Sequence, residues 1–189
     1  MTLSKTRILG ALFAIGMLAA GSSAYGQLNS NTASVSLTAT LAESLTVAAT
    51  PSSVTFSLVS GGTANGSAPV AVTTAWVLNR NRTNVNLVGY FASATAALTD
   101  GGSPAINIPT SEVLGRMTTG TPTTYTAFTG SPALAPAGAG LALFTQAITA
   151  ANRAANRSDN LDLQINLTAQ PQLPAGSYTG TLNIQAQAL

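Results

Sequence analysis

Leu161, Leu163, Ile165 and Leu167 alternate with Asp162, Gln164 and Asn166. A two-residue period sends successive side chains to opposite faces of a strand, whereas a helix would scatter these leucines around its axis. The same period recurs along the chain. Val70, Val72, Thr74, Trp76 and Leu78 share one face, Val85, Leu87 and Gly89 another, and Tyr178, Leu182, Ile184, Ala186 and Ala188 a third. Turn residues separate these runs: Ser60-Gly61-Gly62, Asn65-Gly66, Asp100-Gly101-Gly102, Thr121-Pro122 and Pro174-Ala175-Gly176. Short alternating strands between such turns specify an all-β fold, an immunoglobulin-like antiparallel β-sandwich. Trp76, Leu163, Ile165, Leu182 and Ile184 are expected in its core, with Gln164 and Asn183 outside. The Ala-rich stretch Ala147–Ala155 could instead form a helical turn, and Ser131–Gly140 reads as a surface loop.

The first 26 residues do not belong to that pattern. Lys5 and Arg7 precede an apolar run from Ile8 to Ala20, and small residues follow to Gly26. This is the layout of a secretory signal peptide, cleaved after Gly26 or Ala24. The apolar run is shorter than the ~20 residues that a membrane span needs. The expected organisation is a signal peptide over 1–26 and one sandwich domain over 27–189, leaving no membrane span after cleavage. The product is expected to be secreted, whether periplasmic, on the cell surface or extracellular.

Cleavage also removes the excess positive charge. Five arginines (Arg80, Arg82, Arg116, Arg153, Arg157) then face five acids (Glu43, Asp100, Glu112, Asp159, Asp162), and no lysine remains. A neutral surface offers no electrostatic footprint for nucleic acid, and little repulsion to keep copies of the chain apart. An outer-membrane barrel would show aromatic girdles, but aromatics make up only 5% of this chain and it ends in Leu189.

The residue inventory speaks against an enzyme. With no Cys and no His, the usual metal, haem and nucleophile–histidine chemistries have no side chains to run on. No catalytic residue, cofactor or metal is assigned. Asp159 and Asp162 form the one carboxylate cluster; the alternation puts Asp162 on an outward face and Asp159 in the loop before it, a solvated turn beside Arg157. The arginine clusters at Arg80/Arg82 and Arg153/Arg157 read as loop residues pairing with carbonyls and acids.

Residues 27–40 remain to be placed. They begin polar and small, then alternate Val35, Leu37 and Ala39 against Ser34, Ser36 and Thr38. Such a segment can be the first strand of its own sandwich or a donor strand that completes the sheet edge of a neighbour.

Two stretches carry a family likeness. Thr32–Pro51 with Val54-Thr55-Phe56-Ser57, and the closing Leu173–Leu189, resemble the first and last strands of spore coat protein U and related fimbrial (pilin-like) subunits. The chain departs from that group in having no Cys pair near the first strands and Ala188 where an aromatic is usual. The resemblance implies a non-enzymatic structural subunit of a surface or extracellular assembly, joined by β-strand addition to copies of itself or to other envelope subunits. The competing expectation is a secreted adhesin-type sandwich whose loops grip a glycan.

Overall fold

The computed structural model describes residues 28–189; the expected signal peptide lies outside the described residues. Residues 28–43 carry no strand or helix, and residues 40–189 form one compact unit. That unit is built from antiparallel sheets. Its strands are β1 (Ser44–Thr50), β2 (Thr63–Asn65), β3 (Val70–Val77), β4 (Asn84–Tyr90), β5 (Leu98–Thr99) and β6 (Asn107–Ile108), then β7 (Val113–Met117), β8 (Thr126–Ala127), β9 (Gly140–Ala147), β10 (Ala154–Asn166) and β11 (Asn183–Ala188). A 3-10 turn, Thr110–Glu112, leads into β7. Among the described residues no helix is long and apolar enough to cross a membrane.

One sheet has the order β1-β3-β10-β7-β8, with β2 also on β10; a second has the order β11-β4-β9, and β5 pairs with β6 in a third, two-stranded sheet. The fold is therefore all-β, with its two larger antiparallel sheets packed in a sandwich-like arrangement. The thirteen-residue β10 is its spine, pairing with β3 along Ala154–Leu161 and with β7 and β2 along Leu161–Asn166. The stretch Ala147–Ala155 forms no helix. Ala147 ends β9, a turn follows, and β10 starts at Ala154, so the alanines serve strand ends rather than a helix.

Alternation predicts the core well where strands are paired on both sides. Val70, Val72, Thr74, Trp76 and Leu78 are all buried, as are Leu161, Leu163, Ile165 and Leu167. Val85, Leu87, Leu143 and Phe144 face them from the other sheet. Trp76 satisfies its one polar atom by donating Nε1–H to the Asn152 carbonyl at 2.8 Å. Phe128 fills the middle of the core and meets Phe91 edge to face at 5.3 Å. Its ring fits because Gly89 and Gly115, one from each sheet, have no Cβ; an added Cβ at either would lie 3.0 Å from ring carbons.

Candidate functional site

The two sheets do not close on one side. There β1 is the edge of one sheet and β11 the edge of the other, and the two strands approach each other. In the β1–β3 ladder Leu45 opposes Trp76, Val47 opposes Thr74 and Ala49 opposes Val72. The β3 residues are buried, but Leu45 and Val47 are only half-buried and Ala49 is exposed. In the β11–β4 ladder Ile184, Ala186 and Ala188 oppose Gly89, Leu87 and Val85. Again the inner partners are buried and the edge residues only half-buried. Leu182 and Ile184, expected in the core from their alternation, are thus corrected to the wall of an open groove. They lack a neighbouring strand to cover them; Gln164 and Asn183, expected outside, are half-buried.

At one end of the groove lies a cavity of about 970 Å³, lined by Val54, Phe56 and Leu58 and by Tyr178, Leu182 and Ile184. Gly180 lies beside the Thr99–Thr179 bridge, where its missing side chain lets the chain pass against the Ala97 carbonyl. At the far end a recess of about 420 Å³ lies among Leu45, Leu78, Leu134, Ala186 and Ala188. Leu134 reaches it from the tip of the Ser131–Gly140 loop at φ 79°, the left-handed region that a non-glycine residue seldom occupies.

The backbone of β11 is open on the groove side as well. Leu189 and Asn84 exchange both main-chain hydrogen bonds, so Gln187, Gln185 and Asn183 also point their peptide groups at β4. Ala188, Ala186 and Ile184 must then direct theirs outward. The Ala188 carbonyl accepts from Arg82 Nη1 at 3.2 Å. The same guanidinium grips Glu43 with two further bonds, Nε to Oε1 and Nη2 to Oε2, both 3.2 Å. Glu43 Oε1 accepts from the Asn79 N–H at 2.6 Å too. Arg82 first, and Asn79 after it, hold the Glu43 carboxyl below the usual carboxylate range, and Glu43 in turn pushes Arg82 up.

The sequence-assigned donor residues lie in a run with no strand. Residues 28–43 carry none, and β1 begins at Ser44. Val35 is 81% exposed, Leu37 90% and Ala39 exposed. Leu41, 84% exposed, extends the same two-residue period and was missed; the signal was present, since only Thr40 separates it from Ala39.

The acids do not converge. Asp159 is corrected from a solvated loop to an inward position within β10, its side chain only 1% exposed. Burial alone would raise its carboxyl, but donors outweigh burial and hold it below its usual range. Its Oδ1 accepts from the Thr118 hydroxyl at 2.7 Å and from the Thr119 and Asn160 N–H groups, both at 2.9 Å, which fastens the 118–120 turn. Asp162 faces outward and pairs with Arg116 at 3.0 Å. Among the described residues no three His, Cys, Asp or Glu side chains stand together as a metal site. Arg153 and Arg157 donate to the carbonyls of Arg80 and Thr119, and Arg157 also lies over the Phe144 ring at 4.6 Å.

No protein-family model, no curated protein and no solved structure matches the chain.

Proposed function

We propose that this chain is a secreted, non-enzymatic structural subunit of a cell-surface or extracellular assembly, and that its copies join by strand addition. Residues 28–41 of one copy would lie along β11 of the next. One observation carries the reading: the inner faces of β1 and β11 are left half-exposed beside a free main-chain edge. What fits such a site is an extended segment with apolar side chains on alternate positions, which can supply both missing contacts. The chain's own 28–41 segment has that pattern in Val35, Leu37, Ala39 and Leu41, all exposed.

Magnitudes favour a strand over a mere greasy contact. Burying Val35, Leu37 and Leu41 would contribute about 1.5–3 kcal/mol each. Association costs roughly 4–15 kcal/mol in lost freedom, so side chains alone come near break-even. Main-chain bonds to Ile184 and Ala186 would supply the margin. Because the donor and the groove are different surfaces, addition is head-to-tail, and it grows into an open fibre where the rotation between copies does not close a ring. The balanced charge of residues 27–189, which carry no lysine, and the likeness to fimbrial subunits support the same reading.

Sedimentation velocity over a wide concentration range, with negative-stain microscopy, tests this on the chain lacking residues 1–26. The expected result is a size distribution that broadens and grows with concentration, and linear fibres on the grid. A single monomer boundary throughout would contradict it.

A further inference from the structure

We infer that the Glu43–Arg82 pair is a staple across one end of the groove, setting where an added strand must stop and slowing its departure. The inference rests on the strand-addition reading above. Glu43 immediately precedes β1, and Ala188 is the last residue of β11, so one guanidinium ties the two lips together. Arg82 suits the task because its planar fork can bind a carboxylate through two nitrogens while a third donor reaches a carbonyl. Lysine carries its three donors on one nitrogen, so it cannot reproduce the two-nitrogen grip on Glu43 while spanning to Ala188.

The bond to Ala188 also removes an acceptor from the free edge. Ile184, Ala186 and Ala188 direct their peptide groups outward, and the carbonyl of the third is already taken. An incoming strand therefore pairs fully with Ile184 and Ala186 and ends at Arg82. A strand in a groove leaves by fraying from its ends, and the staple holds this end together. Both partners are substantially exposed, 42% for the Arg82 side chain and 37% for Glu43, so added salt should loosen the staple. The apolar remainder of the groove responds in the opposite sense or not at all, because salt does not weaken the burial of hydrocarbon.

The test follows subunit exchange between differently labelled assemblies of wild type, R82Q, E43Q and R82K, at about 0.05 M and about 0.5 M sodium chloride, a range spanning strong and weak screening. Circular dichroism confirms that each variant keeps its sheets. Wild type is expected to exchange several-fold faster at the higher salt. R82Q and E43Q should exchange fast at both concentrations, and R82K should not restore the wild-type rate. Assembled wild type whose rate and salt response match those of R82Q and E43Q would overturn the staple while leaving strand addition intact. Wild type that stays monomeric would overturn both.

Discussion

Leu87 and Ala186 oppose each other in one antiparallel ladder and project from the same face, yet Leu87 is fully buried and Ala186 only half-buried. Burial falls in a single step across the sheet because β4 has β9 on its far side and β11 has nothing. Trp76 and Leu45 repeat the relationship on the facing sheet. An incomplete edge in both layers, on the same side, is what distinguishes a groove from an ordinary sandwich rim.

Ile165 and Ile184 should therefore respond differently to truncation. Ile165→Ala removes a fully buried side chain and is expected to cost about 2–5 kcal/mol in chemical denaturation of the monomer. Ile184→Ala removes a half-exposed one, and its expected cost in the monomer is below about 1.5 kcal/mol. In the assembled state the second cost should rise. Equal costs in the monomer would mean that the groove is closed in solution.

That contrast also marks what the sequence could and could not convey. Alternation at Leu161–Leu167 and Val70–Leu78 correctly announces strands and their inward faces, because period and register are local properties. Leu182 and Ile184 alternate just as clearly, but whether a strand has a neighbour on its far side depends on topology. Asp159 was misplaced for a related reason: Arg157, Asp159 and Leu161 share one face, and a polar residue at the end of such a face looks like a loop. Nothing local announces that Thr118 and Thr119 will arrive to bind it. The alternation of Val35, Leu37 and Ala39 is legible because these residues lie within five positions; the contact of Arg82 with Glu43 and Ala188 is not, because the three are far apart in the chain.

Gly180 is expected to tolerate no side chain. A Cβ there would be driven into the carbonyl group of Ala97, which is backbone and cannot swing aside. Gly180→Ala should lower stability by at least ~1–3 kcal/mol, the usual range for overpacking. Thermal unfolding followed by circular dichroism checks it; an unchanged midpoint would show that the Thr99–Thr179 bridge is not formed as described.

Glu112 should make the fold less stable as the pH rises. It is buried, its Oε2 has no partner among the described residues, and burial pushes its carboxyl above the usual range. A raised folded pKa means that the folded state holds the proton more tightly. The stabilising contribution is full below the unfolded value of 4.5 and is lost as the pH climbs through the folded one. Glu112→Gln removes that loss. At pH ~7 it should gain about 1 kcal/mol, or roughly 2–4 °C in midpoint, and gain little at pH ~4. An equal shift at both values would refute the ionisation argument.

The central claim is that one copy's residues 28–41 occupy another copy's groove, and a mixing experiment tests it most directly. Leu37→Asp places a charge on the donor and leaves the groove intact; Ala186→Asp places one in the groove and leaves the donor intact. Each variant alone should be a folded monomer by sedimentation velocity. Mixed in equal amounts, they should form a discrete one-to-one heterodimer and nothing larger, because only one donor and one groove remain usable in the pair. Fibres from either variant alone, or no heterodimer from the mixture, would contradict the account.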